Sequence, residues 1–303
     1  MTTKYLIAGT GGVGGSIAAF LALAGKDVTC IARGEHLQAI QNNGLKLISD
    51  LKGHHTLPVK ACTAEEYTGK ADVIFVCVKG YSIDSIINLI KNASHPSTLV
   101  IPILNVYGTG PKLQKLLPAI TVLDGCIYIV GFISEPGEIT QMGQIFRIVF
   151  GAHEGTVVNR ELLENIQSDL QESGIKAEIS DDINRDTFTK WSFISAMACT
   201  GAYYDVPMSE VQKPGEIRNT FIGLSTESAS LGRKLGITFK EDLVQYNLNI
   251  MDNLDPKSTA SMQKDMAKGG ESEVQGLLFD VISLAKQCSI YIPTYNKIAQ
   301  KFE

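Results

Sequence analysis

The chain has 303 residues, of which 44% are hydrophobic and 19% charged, and its formal net charge is -5. This composition is typical of a globular protein and excludes a largely disordered one. The negative charge argues against a nucleic-acid or anionic-membrane surface, because neither attracts an acidic partner. The length predicts two domains.

The cysteines and the apolar runs predict a cytoplasmic protein. Six cysteines are scattered without a C-x-x-C spacing, several of them in apolar runs, as expected for reduced thiols. The runs "VIFVCV" and "LVIPIL" have the length of buried strands rather than of membrane spans. The short apolar run before the first glycines predicts a strand rather than a signal peptide. His54 and His55 would point to opposite faces of a strand, so we expect no metal site.

Short apolar runs alternate with helical patterns in the first half of the chain. "KYLIAG" predicts a strand, the following "VGGSIAAFLALAGK" a helix with Val13, Ile17 and Leu21 on one side, and "DVTCIAR" a second strand. A short helix "HLQAIQNNG" and a hairpin-like excursion over 45–62 come next. Strand "ADVIFVCVKG", helix "SIDSIINLIKNA", strand "STLVIPILN" and helix "GPKLQKLLP" precede two strands around the turn "SEPGE". The alternation predicts a doubly wound, Rossmann-type parallel sheet with an antiparallel edge.

The second half has a different character. Strand signals stop near residue 180, and helical periods predict helices at 185–203, 215–235, 239–253, 256–268 and 271–288. The sequence therefore predicts a nucleotide-binding α/β domain over 1–180 and an all-helical substrate domain over 181–303.

A glycine cluster, "GTGGVGG", stands between the first strand and the first helix. Gly9, Gly11 and Gly14 form G-x-G-x-x-G, with Gly12 between them. In this context the first glycine permits the turn, the second lets a pyrophosphate approach the backbone, and the third allows close helix–strand packing. The helix N-terminus would then face the phosphates. A glycine-rich turn without a ligand is the alternative.

The end of the second strand indicates which dinucleotide binds. Arg33 stands nineteen residues after Gly14, where an NAD-binding chain usually has a carboxylate. A guanidinium can bind a 2′-phosphate through two hydrogen bonds, whereas a carboxylate would repel it. Lys79 ends another strand and adds a second cation, so the sequence favours NADPH. Alternatively, Arg33 is a solvated charge at the end of a strand.

With these features the chain resembles the ketopantoate reductase family, the 2-dehydropantoate 2-reductases, over nearly its whole length. The resemblance lies in the glycine motif, the arginine ending the second strand, and the motifs "CVKG", "LNVYG", "EPGE", "TFTKWSF", "SMQKD", "ESEVQGLL" and "SIYIP". The late motifs, in this order, are more specific than the glycine motif that many dehydrogenases share.

The resemblance implies NADPH-dependent reduction of a 2-oxo acid to a 2-hydroxy acid. By position Lys190 matches the general acid, Glu273 its partner carboxylate and Ser261 a ligand of the substrate carboxylate. Asn105 matches a residue that contacts cofactor and substrate, and Lys79 one that contacts the cofactor.

The chemistry fits this assignment. Hydride transfer to a ketone leaves negative charge on oxygen, which an ammonium can stabilise and protonate. Burial would lower the pKa of a lysine from its usual ~10.4 toward ~7–8, the range in which it is an effective acid. Simpler roles stay open for each residue: Lys190 as a surface lysine, Glu273 as a first-turn acid, Ser261 facing solvent and Asn105 as a turn former.

The chain departs from the family pattern beside the expected acid. Ile194 and Ala198 stand four and eight residues after Lys190, on the same helical face, where the family usually has asparagine. Gln275 and the pair Leu278-Phe279 also replace family residues, and Val106 follows Asn105 where the family has glycine. We therefore expect a 2-oxo acid with a less polar or differently placed tail.

Two other hypotheses remain. One is a hydroxyacid dehydrogenase of the 3-hydroxyisobutyrate type, and the other is a redox sensor that holds NADPH without turning it over. A homodimer is among the expected assemblies, and neither nucleic acid nor membrane is expected as a partner.

Overall fold

The computed structural model describes residues 2–303, which form two compact units. Unit 1 comprises the chain up to Leu104 together with Gly108–Ile183, and unit 2 comprises Asn105–Tyr107 and Asn184–Glu303. The chain thus leaves unit 1 for three residues, which we call the crossing segment, and returns to it before entering unit 2 for good. The predicted split at residue 180 contains no such excursion.

Unit 1 contains eleven strands within the described residues. Six of them form a wholly parallel sheet in the order β5-β2-β1-β6-β7-β8. The strands are β1 Lys4–Ala8, β2 Asp27–Ile31, β3 Leu45–Ser49, β4 Gly53–Leu57, β5 Lys60–Cys62, β6 Val73–Val76, β7 Leu99–Pro102, β8 Thr121–Val122, β9 Asp124–Glu135, β10 Glu138–Gly151 and β11 Lys176–Ile179.

Both faces of the parallel sheet are covered, as the near-continuous apolar strands predict. On β1, Tyr5 and Ile7 pack into one hydrophobic core and Leu6 and Ala8 into another. The predicted doubly wound α/β architecture is confirmed. The helices of unit 1 are α1 Gly12–Leu23, α2 Gly34–Asn43, α3 Ile87–Ala93, α4 Thr109–Leu116 and α5 Arg160–Glu172, with a 3₁₀ helix at Gly80–Ile86 where the sequence predicts α-helix.

The antiparallel strands form a second sheet, so the predicted antiparallel edge of the first sheet is wrong. Its order is β11-β10-β3-β4, with β9 paired to β10. The hairpins β3–β4 and β9–β10 are antiparallel, while β10 runs parallel to β3 and β11. Local signals predicted the strands of the two hairpins but not β11, and they carried no information on which sheet a strand joins.

Helix α1 contacts strands of both sheets. Every residue from Gly14 to Leu21 is buried, so the expected single apolar side understates its burial. The small residues on its other sides allow the second sheet to approach: Gly12 and Ser16 lie against Gly131 of β9, and Gly15 lies against Ile139 of β10. A helix packed on several sides needs no polar stripe, and "SIAAFLAL" has none.

Unit 2 is helical throughout and encloses its own hydrophobic core. Its helices are α6 Ile183–Tyr204, α7 Met208–Val211, α8 Glu216–Lys234, α9 Leu243–Asn253, α10 Ser261–Ala267, a π-helical turn Gln275–Phe279, α11 Asp280–Gln287 and α12 Pro293–Ala299. Three of the predicted helices begin three or more residues too early. For α9 the reason is the cap: the Asp242 carboxylate accepts a hydrogen bond from the Gln245 N–H at 2.8 Å, which starts the helix at Leu243.

Candidate functional site

The three glycines of the motif each occupy a distinct environment. Gly9 has a φ of +104°, a conformation that L side chains rarely adopt. A side chain on Gly14 would overlap the Gly9 carbonyl oxygen and approach Cys77, whereas one on Gly11 would meet nothing within 4 Å. The first and third glycines are therefore required by the turn and by helix–strand packing, as predicted. The protein itself does not require the second, which leaves open space where the sequence predicts a phosphate.

The N-terminus of α1 suits an anion. No side chain caps it at Gly11, and its first turn carries no acidic residue. Gly12, beside it, lies so close to the Gly131 backbone of β9 that no larger residue fits. The positive end of the helix dipole thus faces the open space at Gly11. These residues fit the pyrophosphate of a dinucleotide.

Arg33 and Lys79 follow strands on either side of β1. Arg33 is exposed at the N-cap of α2, directly after β2, and Lys79 is half-buried at the N-cap of the 3₁₀ helix after β6. Among residues 2–303, Arg33 has no ion-pair partner. The carboxyl ends of parallel strands share one edge of the sheet, so both cations lie at the edge that carries the glycine turn.

His36, which the sequence did not single out, lies near the backbone of Thr10 in the glycine turn. Its Nδ1 accepts a hydrogen bond from the Gly137 N–H, in the turn between β9 and β10, at 2.9 Å. Burial lowers the pKa of His36, while the nearby backbone of Thr10 opposes that shift. The motif "SEPGE" predicted the turn, but no sequence signal connected it to a histidine 101 positions earlier.

Lys190 lies in the first half of α6 and is buried, with only 6% of its surface exposed. Its Nζ donates a hydrogen bond to Oδ1 of Asn105, in the crossing segment, at 2.7 Å. Next to this pair the Tyr107 hydroxyl donates to Asn184 Oδ1 at 2.5 Å, which anchors the segment to the start of α6. The alternative of Lys190 as a surface lysine is wrong. The structure brings together two residues that the sequence separates by 85 positions.

Glu273 is also buried, with 5% of its surface exposed, and stands immediately before the helical turns that lead into α11. Burial of a carboxylate requires polar or charged partners. Glu273 directly precedes the first helical residue, Val274, so the alternative of a first-turn acid stabilised by the helix dipole stays open. Ser261 is exposed as the first residue of α10, which leaves the alternative of a solvent-facing serine open.

The two positions where the family usually has asparagine are apolar in structure as well as in sequence. Ala198 is fully buried within the core of unit 2, and Ile194 packs against that core while remaining partly exposed. The face of α6 beyond Lys190 therefore offers methyl groups rather than hydrogen-bonding amides.

No group of three or more histidine, cysteine, aspartate or glutamate side chains within residues 2–303 is arranged to hold a metal ion. None of the helices in that range is long and apolar enough to cross a membrane.

Comparison with known proteins covers nearly the whole chain. The family described as ketopantoate reductase PanE/ApbA matches residues 5–155, and its C-terminal counterpart matches residues 182–303. The uncharacterized oxidoreductase YkpB of Bacillus subtilis (strain 168) is 30% identical over 299 residues, covering 97% of this chain and 96% of that protein.

Solved structures share the fold. The 2-dehydropantoate 2-reductase from Geobacter metallireducens GS-15 has a TM-score of 0.90 at 24% identity and covers 98% of each chain. A D-mandelate dehydrogenase, solved as a ternary structure with NADH and anilino(oxo)acetate, has a TM-score of 0.88 at 20% identity, covering 98% of this chain and 96% of that one.

Proposed function

The chain belongs to the ketopantoate reductase family and is an oxidoreductase, and from that membership we propose that it reduces a 2-oxo acid to the 2-hydroxy acid with NADPH. The observation that carries the proposal is the buried Lys190 amine, held by the Asn105 side chain in the helical unit. The match to both family models favours this reaction over that of a 3-hydroxyisobutyrate-type dehydrogenase.

The glycine turn supports a nicotinamide dinucleotide as the cofactor. The open space at Gly11 and the uncapped N-terminus of α1 can accept a pyrophosphate. The exposed Arg33 guanidinium can bind a 2′-phosphate, which NADPH has and NADH lacks. When bound, the dihydronicotinamide ring would supply the hydride.

Lys190 is the proposed acid. As an ammonium it donates a proton to the ketone oxygen while negative charge develops there, and it becomes a neutral amine. Solvent then returns the proton, so each turnover consumes one NADPH and one proton. Asn105 Oδ1 accepts one amine hydrogen and leaves the other two for substrate and for a further partner. Glu273 is the proposed partner that orients the amine, and Ser261 the proposed ligand of the substrate carboxylate.

Ile194 and Ala198 support a substrate with an apolar tail. A site that hydrogen-bonds a substrate hydroxyl favours it strongly, by ~10⁴-fold or more, because its own polar groups would otherwise be left unpaired. Apolar side chains at both positions remove that preference here. The D-mandelate dehydrogenase of the same fold was solved with anilino(oxo)acetate, a ligand with an aromatic tail, which supports the same direction.

A spectrophotometric screen tests the reaction. Purified protein is mixed with NADPH and a series of 2-oxo acids with branched, aromatic or hydroxylated tails, and nicotinamide absorbance is followed. We expect turnover that is fastest with an apolar tail. Efficient turnover of ketopantoate itself would refute the altered tail preference. NADPH binding without turnover of any 2-oxo acid would favour the sensor hypothesis.

Lys190→Ala tests the acid. It should lower kcat by at least ~10²-fold, the usual contribution of a positioned general acid, and leave the Kd for NADPH unchanged. Lys264→Ala is the control, because Lys264 is an exposed lysine of the same unit. Equal kcat values in the two variants would remove Lys190 from the mechanism.

Arg33→Ala tests the cofactor choice. Losing a charged hydrogen-bonding partner should raise the KM for NADPH by roughly 10- to 100-fold and leave the KM for NADH unchanged. Arg160→Ala removes an exposed arginine of α5 and serves as the control. An unchanged preference for NADPH over NADH would show that Arg33 does not select the cofactor.

A further inference from the structure

A π-helical turn begins two residues after Glu273, with Val274 between them. Residues Gln275–Phe279, which we call the π-turn, separate Glu273 from the regular helix α11. A π-turn inserts one extra residue into a helix and is frequent at functional sites. Since one residue corresponds to about 100° of helix rotation, the π-turn sets the direction in which Glu273 leaves the helix.

Three side chains of α6 donate to backbone carbonyls of this turn, the weakest donor being Cys199 Sγ, which lies 3.5 Å from the Leu277 oxygen. Trp191 Nε1 donates to the Gly276 carbonyl oxygen at 3.0 Å, and Ser195 Oγ donates to that of Leu277 at 2.6 Å. Trp191 and Ser195 stand one and five residues after Lys190. The helix that carries the proposed acid thus also determines the geometry of the turn beside Glu273.

The crossing segment contacts the same turn. A side chain on Gly276 would overlap Val106, so glycine is what allows the two to meet. The Tyr107 ring stacks on Trp191 with a centroid distance of 5.3 Å. The neighbour of Val106 is Asn105, the partner of Lys190. The π-turn is therefore in contact with both of the segments that hold the Lys190–Asn105 hydrogen bond.

Ser195 belongs to a series of three buried, hydrogen-bonded hydroxyl groups, which we call the buried hydroxyl chain. Ser195 Oγ lies 2.8 Å from the Tyr295 hydroxyl, which lies 2.9 Å from Ser228 Oγ. All three residues are at most 1% exposed. Because Ser195 Oγ donates its only hydrogen to Leu277, the Tyr295 hydroxyl donates to Ser195.

We propose that Ser195 and Trp191 are positioning residues for the reduction: they hold the π-turn so that Glu273 is set against the Lys190–Asn105 pair. The inference rests on the proposed function for its kinetic consequence, but it concerns the geometry of Lys190 and Glu273 themselves. Neither Ser195 nor Trp191 touches substrate in this mechanism; each acts through the backbone of residues 276 and 277.

The kinetic test compares two serines. Ser195→Ala removes the hydroxyl donor to Leu277 and leaves only the weaker Cys199 thiol. Ser228→Ala removes another hydroxyl of the buried hydroxyl chain, one that does not touch the π-turn. Ser195→Ala should lower kcat at least tenfold with little change in the KM for the 2-oxo acid or the Kd for NADPH. Ser228→Ala should keep kcat within twofold. Trp191→Phe retains an aromatic ring without its donor and should behave like Ser195→Ala.

A second readout does not depend on turnover. NMR of protein with lysine labelled at Cε and Nζ, assigned through Lys190→Ala, follows the ionisation of Lys190 directly. The midpoint should move by roughly half a pH unit or more in Ser195→Ala and Trp191→Phe and stay in place in Ser228→Ala. The inference would be overturned if Ser195→Ala and Trp191→Phe both kept the wild-type kcat and the wild-type Lys190 midpoint. It would also be overturned if Ser228→Ala lost as much kcat as those two variants. Absence of turnover in the wild type would refute the proposed function, and the titration would still decide the positioning.

Discussion

Gly11 and Gly14 belong to one motif, but a side chain would meet different surroundings at the two positions. At Gly14 the obstacle to a side chain is the protein, since a Cβ there would overlap the Gly9 carbonyl oxygen. At Gly11 the surroundings are open and the backbone φ is -80°, which any residue can adopt. Substitution can therefore separate a folding requirement from a ligand requirement.

We predict that Gly11→Ala leaves the free energy of unfolding within about 0.5 kcal/mol of wild type but weakens NADPH binding at least tenfold, because the new methyl occupies the phosphate space. Gly14→Ala should destabilise unit 1 by about 1–3 kcal/mol through overpacking. Urea denaturation and a fluorescence titration with NADPH measure the two effects. Undiminished NADPH affinity in Gly11→Ala would place the phosphates elsewhere.

The sequence was sufficient to predict where the locally built residues of the candidate site lie, while their roles stay predictions. The glycine turn, Arg33 and Lys79 each follow a strand within a few residues, so their shared edge followed from the parallel order alone. Lys190 and Asn105 were identified only through the family resemblance, and their hydrogen bond joins positions 85 residues apart. Trp191 and Ser195 were not identified at all, because a side chain that binds a distant backbone carbonyl leaves no mark in the local pattern.

At the scale of elements, the end of α11 shows a local rule broken. The N–H of Ile290 bonds to the Ala285 carbonyl and that of Ser289 to the Lys286 carbonyl, the two bonds of a Schellman motif. The position past the helix end, where glycine is usual, is Ser289 with a φ of +55°. This is the serine of the motif "SIYIP", and nothing in the local sequence pattern indicated its left-handed backbone.

Ser289→Gly should therefore stabilise unit 2 by about 0.5–1 kcal/mol, because relief of the left-handed strain exceeds the entropy that glycine adds to the unfolded chain. Ser283→Gly, in the middle of the same helix, is the matched control and should destabilise by a similar amount. Chemical denaturation of both variants gives the comparison. A loss of stability in Ser289→Gly would show that the serine conformation is not strained.

The positions of helices and strands were predicted well where the apolar sequence pattern is strong. They were predicted less well where contacts between distant segments determine the structure. The strands of the parallel sheet and helices α1 and α6 lie where their apolar patterns indicate. The second sheet was missed, because the pairing of β10 with β3 joins segments about 90 residues apart. The widened turn at Gln275–Phe279 depends on donors from another helix and was unpredictable for the same reason.

At the scale of the whole molecule, two separate cores each contain a buried thiol. Cys30 lies in the main core of unit 1 and Cys199 in that of unit 2, and both are fully buried. Burial raises the pKa of each thiol to about 12, so at pH 8 the reactive thiolate is scarce as well as inaccessible. Labelling of each cysteine therefore reports the opening of its own unit.

We predict that saturating NADPH slows alkylation of Cys30 more than that of Cys199. A ligand at 100 times its Kd slows opening of the unit that binds it about a hundredfold. Mass spectrometry of peptides after timed alkylation at pH 8 yields both rates. Equal slowing of the alkylation of both cysteines would mean that the two units open together.

A homodimer stays a prediction, which analytical ultracentrifugation of the same samples would check.

The crossing segment, residues 105–107, belongs to unit 2 although it lies within the sequence of unit 1, and this has a consequence for protein engineering. Unit 2 is therefore not a continuous stretch of sequence. A fragment that begins at Asn184 would lack the Asn105 amide that binds Lys190 and the Tyr107 ring that stacks on Trp191. Chimeras that graft unit 2 onto a relative at a single junction near residue 183 would combine one parent's acid with the other parent's amide. Functional hybrids will have to exchange the tripeptide and the C-terminal portion together.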